Sequence, residues 1–230
     1  MSQLFCLPYA GGSGWIYRDW CDTAGSDWSI VPLEYAGHGK RFSEDCFQSI
    51  EEAGRDAAAS IAESQTGDFV IYGHSMGSLV ALEAAYVLQE KSIFPKAVIV
   101  AANRPPHLAY KDKALEKLTK DELMSEIASL GQMEKEVFDN KDLYDIIADI
   151  MYSDIQMFRE YKKDYSGSKL CIPMMAISGK EDRETPAEDM MEWQYYTTGP
   201  FSAHVFEGDH FFAFHDRDFP AHLEACLKVL

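Results

Sequence analysis

An α/β fold, a mostly parallel twisted sheet flanked by helices, is predicted for this chain by three observations. Short β-branched runs alternate with helical patterns. One of those runs ends in a serine turn bracketed by glycines and continues into a helix. The alternation breaks once, for an all-helical stretch, and then resumes. Strands that alternate with helices form a parallel sheet, because each crossover helix carries the chain back to the end where the last strand began. With 230 residues, one domain spanning 1–230 suffices.

The first strand is read at Gln3 to Leu7, followed by the glycine-dense loop Pro8-Tyr9-Ala10-Gly11-Gly12-Ser13-Gly14. A short helix is expected from Tyr17 to Thr23 and a second strand from Trp28 to Leu33. Ser49 and Glu52 have capping-box spacing and open a helix to about Ser64. Phe69 to Glu83 then reads as strand, tight turn and helix, with Ser75 at the apex in the pattern Gly-x-Ser-x-Gly. That pattern marks a nucleophile elbow, which holds a serine hydroxyl exposed on a sharp strand-to-helix turn. The flanks support it, since an apolar run precedes the turn and helix formers without Pro follow it. In the hydrolase plan a loop after an early strand supplies part of the oxyanion hole, a role that suits residues 8–14.

Ala97 to Ala101 is a further buried strand. From about Pro105 to Tyr165 no strand signal appears, so residues 105–165 are expected to form a helical lid insertion. One helix opens at the capping box Thr119-x-x-Glu122, with Leu123, Ile127 and Leu130 on one face. The second runs from about Lys141 to Tyr161 with apolar residues at helical spacing. Met151, Tyr152, Met157 and Tyr161 widen its apolar surface beyond one face, and flexible thioether side chains suit a surface that must adapt. Met151, Ile155 and Phe158 are its candidate substrate contacts. Sheet rhythm resumes at Met174 to Ser178. Thr185-Pro186-x-Glu188 reads as an N-capped helix start. The last strand is Ser202 to Phe206, and a final helix begins near Pro220.

Acidic residues outnumber basic ones 38 to 21, a formal charge of −17, which excludes nucleic acid as the expected partner. No window has the apolar length to span a membrane, and Met1-Ser2-Gln3-Leu4 does not open a signal peptide. Five scattered cysteines without Cys-x-x-Cys spacing indicate reduced thiols and a cytoplasmic setting. None of the seven histidines falls in a metal-ligand pattern, so neither metal nor cofactor is expected.

A serine hydroxyl needs a base to take its proton and a carboxylate to hold that base in the right tautomer. In this plan the order is Ser, Asp, His, each past the C-terminal end of its strand. Asp182 and His210 fall there, so Ser75, Asp182 and His210 are the expected triad. Glu181, Glu184 and Asp209 are the competing carboxylates, and His38, His74, His107, His204, His215 and His222 the competing histidines.

Leu4 to Ser13, Gly73-His74-Ser75-Met76-Gly77, Ser129-Leu130-Gly131-Gln132, Thr197 to Phe201 and Gly208-Asp209-His210-Phe211-Phe212 resemble the type II thioesterases, the free-standing editing enzymes of nonribosomal peptide and polyketide synthases. The resemblance covers nearly the whole chain. It implies the α/β-hydrolase fold and hydrolysis of acyl groups from the phosphopantetheine thiol of acyl or peptidyl carrier protein domains. It also implies Ser75 as nucleophile, Asp182 as orienter, His210 as base, and the N–H groups of Met76 and Ala10 as oxyanion hole. A small-molecule carboxylesterase or acyltransferase, or a non-catalytic carrier-docking protein, would share the fold. The chain departs from the family at Asp209, where glycine is common, and at Glu34 to Gly39, where Pro-Gly-Arg is usual. Carrier proteins are usually acidic too, so Lys40, Arg41, Arg104, Lys111 and Lys113 are candidates for a cationic rim; a monomer is the simplest assembly.

Overall fold

The computed structural model describes residues 2–22, 28–108, 118–129, 137, 139–162 and 167–228. Lys111, Lys113, Leu130, Gly131, Gln132 and Tyr165, singled out in the sequence, lie outside the described residues. Among the described residues six parallel strands form one sheet: β1 (Ser2–Leu7), β2 (Trp28–Pro32), β3 (Phe69–His74), β4 (Ala97–Ala101), β5 (Met174–Gly179) and β6 (Phe201–Phe206). Their spatial order is β2-β1-β3-β4-β5-β6. The chain leaves β1 toward one edge and later returns beside it to build the rest, and it is past the strand ends at such a reversal that open α/β sheets place their ligands. The loop after β1 and the turn after β3 meet there, because Leu7 is in register with Gly73.

Alternate strand residues feed two cores. Phe5, Leu7, Ile71, Val98, Val100 and Ala176 pack on one face against α2 (Ile50–Ser64) and α3 (Met76–Glu90). Leu4, Cys6, Val70, Tyr72, Ile99 and Ile177 pack on the other, where α1 (Arg18–Cys21) contributes Trp20 and α7 (Phe219–Leu227) contributes Leu223. This period of two buries both sheet faces and explains why the strands read as continuous apolar runs.

Between β4 and β5 the described chain contains α4 (Lys120–Ser129) and α5 (Lys141–Glu160), as the broken rhythm predicts. The capping boxes form. Ser49 Oγ accepts from Glu52 N–H at 3.1 Å, although the Glu52 carboxylate reaches Gln48 N–H at 2.9 Å, one residue before the cap. Glu122 N–H and Thr119 N–H are satisfied reciprocally at 3.3 and 2.8 Å. The expected cap at Thr185 does not form: the N-cap of α6 (Ala187–Met190) is Pro186, with no side-chain bond. The Thr185 hydroxyl is spent instead on Asp182 Oδ2 at 2.5 Å. Donation to the carboxylate is a charge-assisted bond, and it turns this hydroxyl toward Asp182.

Backbone contact sets the elbow. A Cβ on Gly73 would strike the carbonyl of Gly77, and one on Gly77 would strike Leu7 O and come within 2.7 Å of Pro8 O. All of these neighbours are main chain and cannot swing aside. Gly77→Ala should therefore destabilise the fold by about 1–3 kcal/mol. The melting temperature should drop by several degrees, at roughly 2–4 °C per kcal/mol for a chain of this size. Gly67→Ala is the control, since nothing lies within 4 Å of its added carbon; equal melting of both variants would refute the steric account.

Candidate active site

Ser75 sits between β3 and α3 with φ 53° and ψ −121°, a conformation that costs a non-glycine residue of order 1–3 kcal/mol. It is held by surrounding bonds. Ser75 N–H donates to Ala101 O at 2.8 Å, carrying the β3–β4 ladder one residue past the strand. Ser78 Oγ lies 2.9 Å from Gly73 O and 2.8 Å from Ala101 O, and accepts from Ala101 N–H at 3.0 Å. Met76 is the first residue of α3, where helical N–H groups lack an intrahelical partner and the helix dipole presents positive charge.

Asp182 follows β5 and His210 follows β6, and the structure brings them together. His210 Nδ1 donates to Asp182 Oδ2 at 2.8 Å, which leaves Nε2 with its lone pair. Asp182 Oδ1 also accepts from the N–H groups of Glu184 at 2.9 Å and Thr185 at 3.2 Å. Burial opposes ionisation of Asp182, but the bonds from His210, Thr185 and Glu184 outweigh it and hold the carboxyl below its ordinary value. Burial alone would lower the His210 imidazole, yet the bond and charge of Asp182, with Glu184 and Asp209 adding to them, raise it above its ordinary value. A raised histidine supports the fold fully below its unfolded pKa and loses that support as pH climbs through the folded one. A depressed carboxyl supports it fully above its unfolded pKa and loses that support as pH falls. The pair therefore contributes most between about pH 4 and pH 6.5.

The competing groups have other partners. Glu181 accepts from Gly208 N–H at 2.6 Å, and Asp209 accepts from Phe211 N–H at 2.8 Å. His204 lies 3.2 Å from Ser202 Oγ, His222 3.0 Å from Asp216, and His215 3.9 Å from Asp209. His107 contacts Tyr196 at 3.1 Å. His74, next to Ser75, is fully buried among Tyr9, Phe211 and Phe214. Its Nε2 donates to His210 O at 2.8 Å and its Nδ1 accepts from Tyr72 Oη at 3.0 Å, tying the elbow to the histidine loop.

The loop after β1 is braced from several sides. Tyr17 Oη donates to Leu7 O at 2.7 Å, Tyr35 Oη to Pro8 O at 3.0 Å, and Gly14 N–H to Glu34 Oε1 at 2.9 Å. Gly12 N–H donates to Tyr9 O at 2.9 Å, closing a turn in which Gly11 has φ 73°, as the second central residue of a type II turn requires. Above it, Met151 of α5 fills the space that a side chain on Gly11 would occupy. Asp154, missed in the sequence, accepts from Gly11 N–H at 2.7 Å. Of the other candidate contacts on α5, Ile155 is half-buried and Phe158 is buried in the core shared with α3. Of the candidate rim cations, Arg41 is paired with Glu44 and Asp56 and Arg104 with Asp189, while Lys40 is exposed.

A family model described as thioesterase domain matches residues 2–230. The chain belongs to the thioesterase family. Thioesterase PikA5 of Streptomyces venezuelae is 30% identical over 212 residues, covering 91% of this chain and 75% of that protein. Among solved structures, ClbQ from the colibactin NRPS/PKS pathway aligns with a TM-score of 0.87 at 28% identity, covering 99% of this chain and 98% of the other. RedJ, a thioesterase from the prodiginine biosynthetic pathway in Streptomyces coelicolor, aligns with a TM-score of 0.85 at 29% identity, covering 99% and 85%. As a thioesterase, the chain is a thioester hydrolase of α/β-hydrolase fold. Among the described residues no helix is long and apolar enough to cross a membrane.

Burial drives the His74 imidazole down to about 3, with the neighbouring His210 adding to the effect. His74 should therefore stay neutral, as the Nε2–H tautomer, through the range in which His210 titrates. Nitrogen-15 NMR between about pH 7 and pH 5 should show His210 moving and His74 still, set against an ordinary imidazole value of about 6.5. A titrating His74 would overturn the assignment of its two bonds.

Proposed function

We propose that this thioesterase hydrolyses acyl groups from the phosphopantetheine thiol of carrier proteins, clearing stalled or mis-primed units in nonribosomal peptide or polyketide synthesis. The observation that carries the chemistry is the 2.8 Å bond from His210 to Asp182, in a loop tied at 2.8 Å to His74, the residue before a serine held at φ 53°. The carrier substrate is supported by the similarity to ClbQ of an NRPS/PKS pathway, which spans 99% of this chain and 98% of the other.

In this reading Ser75 Oγ attacks the thioester carbonyl carbon while His210 Nε2 takes the hydroxyl proton. Negative charge moves to the carbonyl oxygen, where the N–H groups of Met76 and Ala10 receive it; donors so placed are worth about 10²–10³ in rate. The carbon–sulfur bond then breaks, and His210 returns the proton to the departing sulfur. A thiol ionises near pH 8.5, so it leaves with less help than an amine needs. Water, deprotonated by His210, then attacks the acyl-serine, freeing the acid and restoring Ser75. Met151 and Ile155 form the adaptable wall for the acyl chain, and the thioether of Met151 lies directly over the Gly11 turn.

Ser75→Ala should abolish turnover while preserving the fold, with a loss on the order of a million-fold as for other serine hydrolases. Asp182→Asn should cost about 10⁴ in kcat. Glu181→Gln and Glu184→Gln should cost little, and the reverse order of effects would refute the assignment of the carboxylate. Hydrolysis of an acyl-carrier thioester is to be compared with that of an aryl ester; preference for the ester would favour a carboxylesterase.

The net charge of −17 makes a second prediction. With Arg41 and Arg104 already paired to carboxylates, approach of an acidic carrier is opposed. Added salt shortens the Debye length from about 10 Å at 0.1 M to about 3 Å at 1 M. KM for the carrier-bound substrate should therefore fall with salt, and KM for a small neutral thioester should not. A KM that rises with salt for the carrier alone would instead reveal an attractive patch.

A further inference from the structure

Asp154 is a buried carboxylate on the inner face of α5. Two groups from distant parts of the chain converge on a single one of its oxygens, Oδ2. These are Gly11 N–H at 2.7 Å and His38 Nε2 at 3.0 Å. The His38 and Asp154 side chains are only 2% and 3% exposed. On its other side His38 Nδ1 lies 3.0 Å from Ala36 O.

The contacts dictate where the protons are. A carbonyl only accepts, so His38 Nδ1 carries hydrogen. Oδ2 already accepts from Gly11, so the contact with Nε2 needs one further proton, either on the imidazole or on the carboxyl. Histidine and aspartate thus hold one proton between them, and the bond is lost only when that proton leaves. Burial lowers the affinity of His38 for it, but the bond to Asp154 and the charges of Asp154 and Glu34 more than compensate. Tyr35, its ring 5.7 Å from that of His38, and Cys46 also face the pair, and burial, then the charge of Asp154, pushes both of them up. Arg41, whose N–H donates to His38 O at 2.7 Å, turns its guanidinium to Glu44 and Asp56, and Lys40 is exposed, so the acidic groups prevail and favour retention of the proton.

We propose that Asp154 is a positioning residue for the oxyanion side of the site, fixing the Ala10 turn to α5 through Gly11 with His38 as its proton-bearing partner. The inference rests on the proposed role of Ala10. The N–H of Ala10 belongs to the same peptide as Tyr9 O, which is held by Gly12. The next peptide, between Ala10 and Gly11, is the one that rotates when a type II turn flips to type I. Asp154 grips that peptide by its N–H. Without the carboxylate the turn loses its tie to α5 and shifts as a unit, so Ala10 N–H spends less time aimed at the developing charge. The ground state is bound as before, so the loss falls on kcat.

Asp154→Asn offers a neutral oxygen that cannot take both bonds unless His38 is charged beside an amide. With an acyl-carrier thioester as substrate, kcat should fall 10- to 100-fold, KM should stay within about threefold, and the acid limb set by His210 should not move, a smaller loss than deletion of an oxyanion donor. His38→Gln keeps N–H donors at every pH. In the wild type the tie is complete below about pH 6.5 and weakens as pH rises through the raised pKa of His38, so kcat declines on the alkaline side. His38→Gln should remove that decline. Hydrogen exchange at Gly11 N–H should be slow in the wild type and faster in Asp154→Asn. Wild-type kcat per folded molecule in Asp154→Asn, an alkaline limb unchanged in His38→Gln, or an unprotected Gly11 amide in the wild type would each overturn the proposal. If Asp154→Asn fails to fold, the glutamine variant and the wild-type exchange rate decide. A wild type that does not hydrolyse the thioester refutes the proposed function instead, and Gly11 exchange still reports on the tie.

Discussion

Main chain pressed against main chain is the constraint on which the rest of this structure depends. At the elbow the carbonyls of Leu7, Pro8 and Gly77 lie where side chains would otherwise stand, and Ser75 is bent into a region that serine avoids. The sheet order makes this possible by placing β1 and β4 on either side of β3. One neighbour supplies Ala101 to hold the serine, and the other supplies the loop that faces it. Local strain at a reactive residue persists only where its surroundings over-determine it. Here the ladder bond, the Ser78 hydroxyl and two glycines do so together.

Two adjacent histidines show how environment assigns roles. The rings of His74 and His210 are 5.7 Å apart. Burial without a carboxylate leaves His74 neutral and structural, a donor to the backbone of its neighbour. Burial with Asp182 makes His210 basic and oriented. The same side chain thus serves as a strut and as a proton carrier, and the difference is one acidic contact.

Much of this was legible in the sequence. Strands, helix starts and the order Ser75, Asp182, His210 are local patterns, and local patterns survive into the fold. Other features depend on which distant segments meet. Thr185 has the surroundings of a helix cap, but its hydroxyl is claimed by Asp182 across the loop. Arg41 and Arg104 read as candidates for a cationic rim and are bound to nearby acids. Asp154 left a signal that went unread: it lies four residues after Ile150 and three and four before Met157 and Phe158, on the apolar face of its helix. A charge on such a face must have a partner. Glu83, buried on α3 between Leu82 and Ala84 and bonded to Tyr161 Oη at 2.8 Å, is a second case of the same signal.

Among the described residues the open sheet has two free borders, β2 and β6, and the second carries a half-exposed Val205. Such borders are templates for pairing between molecules, and proteins commonly blunt them with charge. Here the protection is collective: at neutral pH every copy carries the same strong negative sign, and copies repel before their borders meet. That repulsion vanishes near pH 4.7, the isoelectric point. Mild acid therefore strips these borders of the charge that keeps copies apart, and solubility is one property through which it acts on this molecule.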